Sequence, residues 1–126
     1  VPDTEAETVL GEVLDAWRKA IGDHHPSSVA EVFTEDAIFQ GLRPYSVGRT
    51  GVESYYAAQP EGMTVAYRIL ESRRMGDDVV LGWVTADFDF TRAVPGRAPI
   101  AVNLTVVVRR TAGGWRIAHY HVSPRL

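Results

Sequence analysis

The sequence predicts an α+β fold, with N-terminal helices packed on a β-sheet whose later strands form an antiparallel meander. Three observations carry this reading. Helical periodicity is confined to the first half of the chain, where only one brief strand interrupts it. From Thr64 onward the pattern becomes strand-like, with runs broken at Gly76-Asp77-Asp78 and Pro95-Gly96. The last third, APIAVNLTVVVRRTAGGWRIAHYHVS from Ala98 to Ser123, reads as a long hairpin around a Gly-Gly turn. Helices grouped ahead of most of the sheet favour α+β over alternating βαβ units.

In chain order, Asp3 or Thr4 caps the first helix, and Thr4 with Glu7 has capping-box spacing. Val9, Val13, Trp17 and Ile21 recur at four-residue steps beside Leu10 and Leu14, and Gly22 ends the stripe. Pro26 and Ser28 open a short second helix through Phe33, with Ser28 and Glu31 again in capping-box spacing. Thr34-Glu35-Asp36 turns the chain into a brief strand, Ala37–Gln40. Gly41 to Gly48 is expected to be irregular because Pro44 fits neither regular sheet nor helix, and Leu42, Tyr45 and Val47 fold back as a rim. Thr50 and Glu53 cap a third helix carrying Val52, Tyr55 and Tyr56, which stops near Pro60. The remaining strands are Thr64–Met75, Val79–Thr91, Ile100–Arg110 and Trp115–Val122.

With 126 residues, 45% apolar and 23% charged, the chain reads as one globular domain spanning residues 1–126. A net charge of -3 argues against nucleic acid as the main partner. No cysteine is present, so disulfides, thiol catalysis and thiolate-bound metal are excluded. No apolar run approaches the length of a membrane span, and the cytoplasm is the default location. Nucleotide-binding glycine fingerprints and a nucleophile elbow are absent, so no cofactor is expected.

Side chains alternate along a strand. In the last strand this puts Trp115, Ile117, His119 and His121 on one face, with Arg116, Ala118, Tyr120 and Val122 on the other. Both faces of the sheet are too apolar for open water, so one meets the helices and the other a second copy of the chain.

His119 and His121, about 6–7 Å apart along the strand, are the first candidates for proton transfer. Asp87 and Asp89 share a face and are candidate paired carboxylates, unless Phe88 and Phe90 take the inward side. A His-His-Asp set with Asp87 or Asp89 is geometrically conceivable, but no HxxxH or HExxH spacing occurs, and no metal is expected. Asn103 is a polar group within an apolar strand that must find a partner or a ligand. Trp17, Gln40, Tyr45, Tyr56, Trp83, Phe88 and Phe90 are candidate wall or rim residues for a flat, partly apolar organic molecule.

The order of elements, Phe33-Thr34-Glu35-Asp36-Ala37, Gly48-Arg49, and the ending from Trp115 through Ser123 together resemble the NTF2-like superfamily. Within its SnoaL-like branch the chain looks nearest to SgcJ/EcaC-type proteins of enediyne and other polyketide gene clusters. That resemblance implies a cone-shaped barrel, a strongly curved mixed sheet around a cavity, and a homodimer through the convex sheet face. It puts Trp115, Ile117, His119 and His121 inside. It also implies a hydrophobic small-molecule ligand, here an aromatic or polyene polyketide intermediate, that is bound or converted without a cofactor. In the enzymatic form of that expectation, His121 or His119 moves a proton, Asp87 is the reserve base, and Asn103, Tyr56 or Gln40 holds the developing oxyanion. The alternative is a non-catalytic carrier or assembly protein, with or without a biosynthetic partner enzyme. Neither nucleic acid nor membrane is expected as a partner.

Overall fold

The computed structural model describes residues 4–126. It contains three helices, α1 (Thr4–Gly22), α2 (Pro26–Glu31) and α3 (Arg49–Ala57), and six strands. The strands are β1 (Phe33–Gln40), β2 (Ser46–Val47), β3 (Thr64–Gly76), β4 (Val79–Asp89), β5 (Ile100–Thr111) and β6 (Gly114–Pro124). They form one sheet in the order β2-β1-β6-β5-β4-β3. Among the described residues only the β1–β6 pair is parallel, which makes the sheet mixed.

The α+β reading holds, but the cone-shaped barrel does not. The sheet ends in two unjoined edges, a two-residue β2 and a thirteen-residue β3. It is an open sheet, neither closed nor strongly curled. Closure requires tilted strands whose first and last members pair, and edges so unequal in length offer little to pair. One face carries the helices. Among the described residues the other carries none.

α1 lies across the helix-bearing face and buries Leu10, Leu14, Trp17 and Ile21 against it. Its four-residue apolar spacing is what the sequence suggests. Gly82 allows the close approach, because a Cβ there would stand 2.9 Å from Leu10 Cδ2 and 3.0 Å from Val106 Cγ2. On the sheet side the core is Val84, Ala86, Val102, Leu104, Val106 and Val108. At the far edge, Tyr67 of β3 donates to Asp15 of α1 at 2.5 Å while Arg18 lies over its ring.

Several boundaries differ from the sequence reading. Asp3 lies outside the described residues, and Thr4 is already helical. α2 ends at Glu31, so Phe33 opens a strand rather than closing a helix. Its cap is His25 without a side-chain bond, and Pro26 supplies the preset first turn in place of a Ser28–Glu31 box. α3 starts one residue before Thr50, with Gly48 as N-cap at φ 93°, a conformation that suits glycine. Within the stretch expected to be irregular, Ser46 and Val47 pair with Phe39 and Ile38.

The most consequential difference lies in β6. Val108 pairs with Ile117 and the adjacent Val107 pairs with His119, leaving Ala118 as an extra residue. The same place is irregular against β1, where Phe33 pairs with Ile117 and Ile38 with His119. A one-residue bulge inverts the facing of all that follows. Ile117, Tyr120 and Val122 are therefore buried on the helix-bearing face, and His119 and His121 point to the helix-free face. Strict alternation groups both histidines with Ile117, on the face the resemblance turns inward. The bulge corrects it.

Candidate functional site

The helix-bearing face gathers the aromatic residues. Trp17 comes from α1, Tyr55 and Tyr56 from α3, Phe33 and Phe39 from β1, Phe88 from β4, and Tyr120 from β6. Trp17 meets Phe88 edge-on at 6.0 Å and Tyr120 at 6.0 Å. Phe39 stacks on Tyr120 at 4.7 Å. A chain of polar contacts threads this cluster. The Trp17 indole N–H donates to the Tyr56 hydroxyl at 3.2 Å, and that hydroxyl donates to the Tyr120 hydroxyl at 3.4 Å. Among the described residues, the Tyr120 hydroxyl has no acceptor for its own proton.

Tyr120 also lines a small apolar slot with Leu42, Tyr55, Met63, Phe88 and Phe90, among others. Its volume is about 30 Å³, room for a water or two and far below the several hundred Å³ of an ordinary organic ligand site. The slot wall holds no carboxylate and no imidazole. Its ionisable groups are phenols. Burial raises the pKa of Tyr55, Tyr56 and Tyr120 alike, and the Tyr120 hydroxyl is raised further by Tyr56 beside it. They stay protonated at physiological pH and act as neutral hydrogen-bonding groups.

Leu42 is 45% exposed over this slot. Its loop is tied down by Gln40, whose side-chain amide donates to the carbonyls of Gly41 at 2.8 Å and Arg43 at 2.6 Å. Gln40 is thus a loop clamp, not a wall residue. Tyr45, farther along the loop, is exposed.

Of the residues singled out in the sequence, Phe88 and Phe90 line the slot, while Trp17 and Tyr56 stand behind its wall in contact with Phe88 and Tyr120. His119, His121, Trp83, Asn103 and Asp87 lie on the helix-free face instead. Asp87 is exposed and paired with Arg125 at 2.6 Å. Asp89 is exposed too, and its carboxylate accepts from the Thr91 backbone N–H at 2.8 Å. Side-chain and backbone hydrogen bonds from Thr91 hold its pKa below the usual carboxylate value. The two aspartates share no enclosed site. Asn103 is half-buried beside Thr85 and Ser123, and Trp83 is 40% exposed beside Glu71 and Thr105. Among the described residues no group of three or more His, Asp or Glu side chains converges as metal ligands.

Sequence reasoning missed Tyr120 and Tyr55. Tyr120 was assigned to the opposite face by strict alternation. Tyr55 was legible only as helix, and the slot depends on its meeting Leu42 across the loop. A much larger concavity, an open groove of about 810 Å³, runs between α1, α2 and the β5–β6 turn. It is lined by Glu12, Lys19, Glu31, Trp115 and Arg116 among others, and of the four β6 side chains expected inside it holds Trp115. Its openness and mixed charge make it the poorer candidate.

The model of the SnoaL-like domain family matches residues 10–126. No curated protein matches the chain. Among solved structures, a ketosteroid isomerase-like protein from Erwinia carotovora atroseptica superposes with a TM-score of 0.78 at 22% identity, over 94% of this chain and 95% of that one. A proposed dehydratase of the NTF2-like family from Streptomyces avermitilis gives 0.81 at 19% identity, over 98% and 99%. A proposed calcium/calmodulin dependent protein kinase II association domain from Xanthomonas campestris gives 0.78 at 17%, over 92% and 85%. At these identities the likeness speaks for the fold alone. Its extent, with the match over residues 10–126, makes this chain a member of the SnoaL-like domain family on an NTF2-like fold.

Proposed function

We propose that the protein binds a flat, largely apolar small molecule carrying a carbonyl or phenolic oxygen, and holds it in one orientation without itself transferring a proton. The observation that carries this reading is the relay Trp17 to Tyr56 to Tyr120, which ends in a hydroxyl proton uncommitted among the described residues, on a residue that lines an apolar slot. Such a donor suits an oxygen acceptor on an otherwise hydrophobic guest. The lack of any acid or base in the slot wall weighs against a proton-transfer step there. Entry requires Leu42 and its loop to swing outward, since the slot holds only about 30 Å³ when closed. An aromatic or polyene polyketide intermediate of an enediyne-like pathway fits this chemistry. The ending Trp115 to Ser123 supports an SgcJ/EcaC-type branch within the family. A second copy covers the helix-free face, where Trp83, Ile38 and Val47 are exposed, and a biosynthetic partner enzyme acts on the oriented guest.

The small closed volume favours one other reading, an assembly module whose interior takes no guest. Titration with anthraquinone, a flat fused-ring ketone, separates the two. In a W83F/W115F background, Trp17 emission reports on the slot. Saturable quenching, weakened about tenfold by Tyr120→Phe, is the expected result. No saturable change up to the solubility limit contradicts ligand binding and leaves the assembly module.

A further inference from the structure

On the helix-free face, His119 and His121 stand two residues apart on β6, near the middle of the sheet. Their ring centroids are 6.2 Å apart and their planes nearly perpendicular, at 80°. The cross-strand neighbours of His121 are Thr105 and Gln40, and those of His119 are Val107 and Ile38. None of these four is charged. Nothing at these register positions supplies a carboxylate that would give the imidazoles a structural partner, and neither ring has a hydrogen bond or ion pair among the described residues. A histidine pair presented this way, both rings on one side of a rigid strand, is a two-point chelate.

We propose that this pair is half of a divalent zinc-class metal site, completed by the same two histidines of a second copy. The proposal rests on the face-to-face homodimer put forward above. A shared ion about 2.0–2.1 Å from one nitrogen of each ring has each ring centre about 3.2 Å away, so rings 6.2 Å apart close by about 1 Å to reach the tetrahedral angle. Stacked sheets lie about 10 Å apart, which is the separation two facing imidazoles span when they meet an ion midway. One chain supplies only two ligands, in keeping with the lack of a convergent group of three. Two chains related by a two-fold axis near His121 supply four. Ile38, Trp83 and Val107 around the pair give the second copy an apolar seat and shield the ion from water.

The test uses the full chain, stripped with EDTA and dialysed. Zinc is titrated calorimetrically, and oligomeric state is followed by sedimentation with and without the metal. The expected result is about one ion for every two chains, with dimer dissociation weakened at least about tenfold by zinc and restored by EDTA. H119Q and H121Q each abolish this response. Both side chains point outward, so far-ultraviolet circular dichroism should be unchanged, and an H24Q/H25Q control should bind like the parent. One ion per monomer overturns the shared site. A dimer indifferent to zinc that binds none overturns the metal site while leaving the homodimer standing. A monomer at every zinc concentration overturns both.

Discussion

The two faces of this sheet are built from the same strands yet differ in almost every physical respect. On β5 the even positions Val102, Leu104, Val106 and Val108 are fully buried beneath the helices, while Ala101, Asn103, Thr105 and Val107 are only half-buried on the other side. The helix-bearing face ends in a cluster of aromatic rings with a threaded line of hydroxyls. The helix-free face carries imidazoles, an amide and a half-exposed tryptophan with few internal partners. A packed face answers to stability and to one enclosed slot. An unpacked face answers to whatever covers it. Ala118 decides which of the β6 side chains belong to which.

The sharpest way to break that distinction is Leu104→Asp, which puts an unpaired carboxylate on the fully buried face beneath the helices. Loss of more than about 4 kcal/mol, or of cooperative unfolding altogether, is the expectation for urea denaturation. Next comes Trp17→Ala, which should cost about 3–5 kcal/mol because it empties a large, fully buried site. Trp83→Ala on the opposite face should cost less than about 1 kcal/mol when measured on dilute protein. Equal losses for the two tryptophans would contradict the distinction. Gly82→Ala should cost about 1–3 kcal/mol, since its new methyl would stand closer to Leu10 and Val106 than van der Waals contact.

Smaller effects come from pH. Burial, and then the hydrogen bond to Asp15, pushes the pKa of Tyr67 up to about 12, and burial raises Tyr56 and Tyr120 as well. A group whose folded pKa is raised contributes stability that is complete below its unfolded pKa and disappears as pH climbs through the folded value. Thermal stability should therefore decline from about pH 10 upward, and Tyr67→Phe should flatten the part of that decline between there and pH 12. The smallest effect belongs to Asp36, whose pKa is lowered chiefly by the Thr34 hydroxyl and then by Arg109. Its sign is opposite. That contribution is present above the unfolded carboxylate pKa and lost as pH falls through the depressed one, so Asp36→Asn should slightly reduce the acid sensitivity of melting.

Much of this architecture was legible from local pattern. The stripe of α1 and the run of β5 are long enough that periodicity outweighs any competing signal. The features that escaped are those set by distant partners. Phe33 continues an apparent helix until Ile117 pairs with it across the sheet. Ser46–Val47 is too short to announce itself and exists as a strand only because β1 is beside it. The bulge at Ala118 arises where β6 must register with parallel β1 and antiparallel β5 at once, and no residue within β6 marks it. The site suffered most from this. Trp17, Tyr56 and Phe88 sit on elements whose facing local pattern gives, and Phe90 directly follows β4, whereas Tyr120 and the histidines exchange sides with the phase of one strand. The resemblance to a cone-shaped barrel overstated the curvature for a related reason, since sheet closure depends on how edge strands meet and not on what any one strand contains.

One experiment addresses the division of labour most directly. In nuclear magnetic resonance spectra of the full chain, saturating anthraquinone should shift the ring resonances of Tyr56, Phe88, Phe90 and Tyr120 while leaving the imidazole signals of His119 and His121 in place. Movement of the histidine signals with the Tyr120 ring unaffected would contradict the account, because it would put the guest on the face that the helices leave bare.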